Sequence, residues 1–198
     1  MAKAFWDQRY AEDGFVYGPH PNLFFCKELG KLKPGRLLLP GEGEGRNAVY
    51  AARRGWEVVA FDQSSEGQRK ALALAAQKQL SIEYLVCGVD AFEAEPESFD
   101  CLALIFVHFP SVERKGIHQK LISYLKPEGT LIMEVFSKEQ LGRKSGGPQH
   151  RDMLYSEEEL MEDFGLLKSA KILHLETELT EGRYHEGLAS VIRLIGKK

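Results

Sequence analysis

The sequence predicts a doubly wound α/β domain whose sheet is mostly parallel and ends in an antiparallel hairpin. Three observations carry this expectation. Short, near-continuous apolar runs alternate with longer amphipathic stretches, as strands buried on both faces alternate with the helices that cover them. A glycine-rich turn, Gly41-Glu42-Gly43-Glu44-Gly45, joins the first such strand to the first such helix. The C-terminal stretch then breaks the rhythm with two long β-like runs separated by a hairpin-length loop.

At the N-terminus, Trp6 and Tyr10 stand at i, i+4 on one face of a helix. Asp13 to Asn22 follows, turn-rich through Gly14, Gly18, Pro19 and Pro21, and reads as a solvated connection or a cover over a site. Arg36 to Pro40 is the first buried strand, and Arg46 to Arg54 the helix after the glycine turn, with Gly55 ending it. Trp56 to Phe61 is the second strand. Ser64 or Ser65 caps an Ala/Leu-rich helix running to about Gln79. Ile82 to Cys87 and Phe99 to Val107 are the third and fourth strands. A helix from about Val112 to Leu125 stops before Pro127, and Thr130 to Phe136 is the fifth strand. Ser137 to Asp152, with Gly142, Gly146, Gly147 and Pro148, is a second candidate cover. After a short helix, Ser156 to Phe164, the runs Lys171–Leu179 and Arg183–Ile195 flank Thr180-Glu181-Gly182.

A chain of 198 residues is long enough for one complete core, and residues 1–198 are expected to form a single domain. Residues 1–30 would supply an N-terminal helix and lid, and 137–155 a second lid. The formal charge of −3 argues against a nucleic-acid partner held by bulk positive charge. Three cysteines without a C-x-x-C pair suit a reducing compartment. MAKAFWDQRY carries Asp7 and Arg9 where a signal peptide needs an apolar run, and no stretch is long and apolar enough for a membrane span. A cytoplasmic protein, monomeric or homodimeric, is expected. No Cys/His zinc spacing, H-E-x-x-H, P-loop or G-x-S-x-G occurs, so no metal is implied.

The glycine loop points to a nucleoside cofactor. Glycines let the backbone approach a ligand closely, and a helix N-terminus offers free N–H groups. Gly43-Glu44-Gly45-Arg46-Asn47-Ala48 fits the G-x-G-x-x-A form of a dinucleotide fingerprint, which keeps an NAD(P)-dependent oxidoreductase as an alternative. Glu42 and Glu44 would repel a pyrophosphate, however. S-adenosylmethionine carries a sulfonium and an ammonium against one carboxylate, and an acidic loop suits it. Asp62, at the end of the second strand and followed by Gln63, is placed to accept both ribose hydroxyls or to cap the next helix. Asp90-Ala91-Phe92 offers a carboxylate and an aromatic face for an adenine ring.

With these residues in view, the chain resembles the class I S-adenosylmethionine-dependent methyltransferases, in the small branch related to tellurite-resistance methyltransferases. The resemblance rests on Phe5-Trp6-Asp7-Gln8-Arg9-Tyr10, Tyr17-Gly18-x-x-Pro21-Asn22, Gly41 to Ala48, Phe61-Asp62, Phe106-Val107-His108-Phe109-Pro110, Leu125-Lys126-Pro127-Glu128-Gly129 and Asp152-Met153-Leu154-Tyr155-Ser156. It implies a Rossmann-like seven-stranded sheet with the last strand antiparallel and helices on both faces. It also implies roles. Gly41, Gly43 and Gly45 with Arg46 and Asn47 would hold the methionine part, Asp62 the ribose, and Asp90, Ala91 and Phe92 the adenine. Phe106 and Val107 would flank the sulfonium, and Tyr17 would close over it. The family commonly has an acid two residues before the first glycine, where this chain has Leu39; Glu42 would supply that charge instead.

The methyl acceptor is expected to be a small molecule. The [Asn/Asp]-Pro-Pro-aromatic motif of amino-methylating nucleic-acid enzymes is replaced by Val107-His108-Phe109-Pro110. A thiolate or chalcogen oxyanion needs no general base, and His108 and His185 are the candidates if one is used. His185 and Arg193 share strand parity and would face the same way. A cofactor-binding regulatory protein without catalysis is the alternative outside the enzymes.

Overall fold

The computed structural model describes residues 2–198 as a seven-stranded sheet flanked by helices. In chain order the elements are α1 (Ala2–Tyr10), α2 (Leu23–Leu29), β1 (Arg36–Pro40), α3 (Arg46–Arg53), β2 (Glu57–Asp62), α4 (Ser65–Gln77), β3 (Glu83–Val86), β4 (Phe99–Ile105), α5 (Ser111–Ser123), β5 (Leu125–Phe136), α6 (Glu157–Asp163), β6 (Ser169–Thr180) and β7 (Glu186–Lys197). Strand order is β3-β2-β1-β4-β5-β7-β6. Pairings from β3 through β5 are parallel, and β7 enters antiparallel between β5 and β6.

The apolar strands are buried on both faces because helices cover both. Phe25 and Leu29 of α2, Ala48 and Ala51 of α3, and Ala71 and Leu74 of α4 pack with Leu37, Leu39, Val58 and Cys101 on one side. Leu121 and Ile122 of α5 and Leu160 of α6 pack with Leu38, Leu102, Leu131 and Met133 on the other. Alternate residues of one strand thus feed two cores, which is why these strands read as continuous rather than alternating.

Helix starts follow local chemistry. Ser64 Oγ accepts the Gly67 N–H at 3.1 Å, and Ser156 forms a reciprocal capping box with Glu159. Helix α2 is absent from the sequence reading. It is a short helix whose cap, Asn22, accepts the Phe25 N–H at 2.8 Å from within a turn-rich stretch. The last hairpin also differs from expectation. Its turn spans residues 181–185, closed by Glu181 N–H to His185 O at 2.8 Å and His185 N–H to Gly182 O at 3.0 Å. Arg183, Tyr184 and His185 therefore belong to the turn and not to the strand.

Strand order reverses between β1 and β4, with β2 on one side and β5 on the other. At such a switch point the loops leaving the carboxyl ends diverge and leave a crevice for a ligand.

Candidate active site

The glycine loop leaves β1 with positive φ at Gly41, Gly43 and Gly45. Gly43 is gripped from both sides: its N–H donates to Asp62 Oδ2 at 3.1 Å, and its carbonyl accepts the Tyr84 hydroxyl at 2.6 Å. A Cβ there would lie 2.5 Å from the Tyr10 hydroxyl, so only glycine fits beneath α1.

Asp62 ends β2 facing this loop. Its other oxygen accepts the Ser64 N–H at 2.9 Å, and burial pushes its carboxyl up to about 6. Each oxygen keeps a further lone pair, so the carboxylate is oriented but not exhausted. Gln63 beside it is half-buried. Val107 and Phe106 leave β4 opposite. The Val107 side chain lies against Gly41, where a Cβ would meet it at 3.1 Å. Phe106 takes a left-handed φ of 54°, and its ring stacks on Phe136 at 4.6 Å and meets the His185 ring edge-on at 4.6 Å. A non-glycine residue held in that region stores strain at the mouth of the crevice.

Several expected ligand-holding groups are committed elsewhere. Glu42 does not face the crevice. Its Oε1 accepts the N–H groups of Asn47 at 2.8 Å and Ala48 at 2.7 Å, so it caps α3 from inside and takes the donors that the sequence reading left free. Burial raises its carboxyl to about 7 against those hydrogen bonds. Glu44 accepts the Val16 N–H at 2.8 Å and pairs with Lys70 at 2.9 Å, anchoring the segment over the loop. Arg46 gives its guanidinium to Glu181 at 2.7 Å and to the Tyr17 carbonyl at 3.0 Å, and Asn47 accepts the Asn22 N–H at 2.9 Å. Both side chains are thus engaged by the protein itself. Phe92 also differs from expectation: its ring is buried, stacked on Phe61 at 4.3 Å and edge-on to Tyr124 at 5.8 Å, so no face remains for adenine. Asp90 and Ala91 stay exposed beside it.

The two candidate bases separate. His108 is a structural residue. Nδ1 donates to the Met153 carbonyl at 2.7 Å and Nε2 accepts the Phe136 N–H at 3.4 Å, with burial pushing the imidazole down to about 3. Both nitrogens serve backbone groups, which takes it out of acid–base work. His185 is different. The turn carries it under the cover, 6% exposed, with its ring 4.5 Å from Tyr17 and 5.3 Å from Phe136. Its Nδ1 has no hydrogen-bond partner and stands 3.7 Å from Glu181 Oε2. Burial lowers its basicity while Glu181 partly restores it. Arg193, expected on the same face, lies far down β7 and pairs with Glu134 at 2.6 Å.

The cover is made by α1, residues 11–22 and turn 181–185. Turn and loop meet backbone to backbone: a Cβ at Gly182, whose φ is +88°, would lie 2.6 Å from Gly18 N and 2.7 Å from Val16 O. Tyr184 and Arg183 both bind Glu12, at 2.7 and 2.8 Å, and the Arg9 guanidinium sits 3.6 Å from the Tyr184 ring centre. Residues 137–152 form a wall. Ser137 Oγ meets Ser190 Oγ at 2.7 Å, Gln140 accepts the Ser190 N–H at 2.8 Å, and Gly146 lies against the His185 ring.

Sequence reading missed the network that ties this cover down. The Asn22 amide donates to Glu134 and, at 2.9 Å, to Glu181. Glu134 is 1% exposed, and its only signal was a lone carboxylate inside the apolar run Leu131 to Phe136. Glu181 carried no signal, because its partners Asn22 and Arg46 are remote in sequence.

The crevice fits the cofactor expected from sequence. Of the three buried acids around the glycine loop, Glu44 pairs with Lys70 and Glu42 caps α3, which leaves Asp62 facing the crevice without a cation, while Arg46 is neutralised by Glu181. Burial raises the Asp62 carboxyl, as it does a carboxylate that no cation compensates. A cationic ligand relieves that cost; a pyrophosphate adds to it.

Residues 38–129 match the methyltransferase-domain family. A probable thiol methyltransferase 2 of Arabidopsis thaliana is 30% identical over 135 residues, 67% of this chain and 58% of that protein. The chain spans about half the length of the curated relatives it matches. A structure solved in work on conversion of a disulfide bond into a thioacetal group during echinomycin biosynthesis superposes with a TM-score of 0.74 at 16% identity, covering 100% of this chain and 91% of that one. TehB of Haemophilus influenzae superposes at 0.71 with 14% identity, covering 99% of this chain and 66% of that one. Residues 38–129, which hold the glycine loop and strands β2 to β4, thus match the methyltransferase-domain family, and the whole described chain has the fold of the solved structures it superposes on.

Proposed function

We propose that the chain transfers a methyl group from S-adenosylmethionine to a small nucleophile enclosed beneath the cover. The acidic, glycine-built junction of β1 and β2 is the observation that supports this most. There Asp62 is fixed by the Gly43 and Ser64 N–H groups with lone pairs left for ribose hydroxyls. Bound at that junction, the cofactor supplies a methyl carbon activated by its sulfonium leaving group. The chain's own residues align and exclude water. Phe106, Val107 and Tyr17 wall the reacting space, and α1 with turn 181–185 seals it. Alignment of this kind accounts for large effective molarities without a catalytic triad.

The acceptor class follows from enclosure and charge. Beneath the cover the rings of Tyr17, Phe106, Phe136 and His185 pack against one another, an aromatic lining that suits a small, soft nucleophile rather than a polymer. A thiolate or a selenium or tellurium oxyanion needs no base; a protonated acceptor would give its proton to His185, whose Nδ1 is unpartnered beneath the cover. The thiol methyltransferase relative agrees with a soft acceptor. The deciding assay follows labelled methyl from S-adenosylmethionine into a panel of thiols, selenite and tellurite, beside total RNA and duplex DNA. Label in small or volatile products is expected. Label confined to acid-precipitable nucleic acid would overturn the reading.

A further inference from the structure

We propose that the groove between α2 and the outer part of the sheet binds an amphipathic organic anion, a carboxylate on an apolar chain. The groove encloses about 560 Å³, a volume typical of small-ligand sites. Leu23, Phe24 and Lys27 of α2 form one wall; Lys171 and Leu173 of β6 with Ile195 of β7 form the other. It lies outside the cover and away from the glycine loop. Leu23 and Leu173 are 75% and 51% exposed, so large apolar side chains stand open on both walls.

The charge around this apolar lining has one sign. Glu28, the groove's acid, is neutralised by Lys31 at 2.5 Å. Arg193 is paired with Glu134 at 2.6 Å and lays its guanidinium 4.9 Å from the Phe24 ring centre. That leaves Lys27 and Lys171, one on each wall, as cations without a carboxylate partner among the described residues. Two free ammonium groups over an apolar lining complement one anionic head on one apolar body. A cation would be repelled and a neutral chain would leave both charges unanswered. The floor also leads inward: Glu134 holds Asn22, which caps α2, so the wall that carries Lys27 is set by the same network that ties down the cover.

Decanoate, kept well below its micellar range, is the probe. Calorimetric titration of the full chain at low salt should show one saturable site, weakening as salt rises. The double variant Lys27→Ala, Lys171→Ala should lose at least tenfold in affinity, and Leu173→Ser at least threefold, with unliganded melting temperatures unchanged because all three side chains are exposed. Uncharged 1-decanol should bind at least tenfold more weakly than decanoate. Absence of saturable binding, equal binding of decanol, or full affinity in the double variant would overturn the proposal. So would concentration-dependent dimerisation abolished by the same variants, since the occupant would then be a second copy of the chain.

Discussion

Asp62 and Glu42 are carboxyls that end or follow strands, and burial moves both upward, yet they do different work. Asp62 faces the crevice and Glu42 caps a helix. Asp62→Ala is expected to weaken S-adenosylmethionine at least tenfold at pH 7.5, through loss of two charge-assisted hydrogen bonds and of the grip on Gly43. In the wild-type protein affinity should fall as pH drops through about 6, where Asp62 takes up a proton. A calorimetric series showing flat affinity from pH 5 to 8 would remove Asp62 from the cofactor site. For Glu42 the sign concerns folding. A carboxyl raised above its unfolded value stabilises the fold below that unfolded value and loses the contribution as pH rises through the folded one. The window therefore runs from about 4.5 to about 7. The raised value corresponds to roughly 3 kcal/mol at most. Glu42→Gln keeps an acceptor for the Asn47 and Ala48 N–H groups and removes the titration. Urea unfolding should then show wild-type stability declining more steeply between pH 5 and 8 than that of the variant. Parallel profiles would mean that Glu42 titrates normally.

At the scale of elements, turn 181–185 acts as the latch of the N-terminal cover. The sequence placed this turn between two strands but gave three of its residues to a strand. Regular alternation was assumed through Arg183 to His185, whereas Gly182 in a left-handed conformation folds His185 back under Tyr17. The helices and parallel strands were legible because two-faced burial writes continuous apolar runs. The latch was not, because it is held by pairs distant in sequence: Arg46 with Glu181, Glu12 with Arg183, and Asn22 with Glu181. The test is Gly182→Val. A β-branched side chain is strained at φ +88° and would drive its Cβ into the backbone of residues 16–18. Limited proteolysis within residues 11–20 is expected to accelerate at least fivefold, with a global stability loss of roughly 1–3 kcal/mol. Unchanged cleavage there would separate the turn from the cover.

Across the whole molecule, the crevice at the switch point was readable from sequence as a location, while its contents were only half readable. Strand-end positions bring Asp62 and Val107 beside the glycine loop, since topology fixes where strands end. Phe92 and His108 were misjudged because proximity in sequence to a strand end does not say which way a ring turns; core packing and backbone hydrogen bonds claimed both. The two halves of the cover come from distant parts of the chain, residues 2–22 and 181–185, and they meet over a site built from the segments between. A ligand held beneath them adds its binding energy to the contacts that already latch the two halves together, and so to the stability of the closed fold. At a concentration of S-adenosylmethionine one hundred times its dissociation constant the gain is about 2.7 kcal/mol. For a chain of 198 residues that corresponds to a rise in melting temperature of roughly 5–10 °C. S-adenosylhomocysteine, which lacks the sulfonium charge, should give a smaller rise at equal concentration, and NAD and NADP none, because their pyrophosphate would sit beside the buried Asp62 carboxyl with no free cation to meet it. Hydrogen exchange should slow together in residues 11–22 and 181–185 on cofactor binding. A thermal-shift panel in which NAD stabilises the protein more than S-adenosylmethionine would reverse the electrostatic argument and return the glycine loop to its dinucleotide reading.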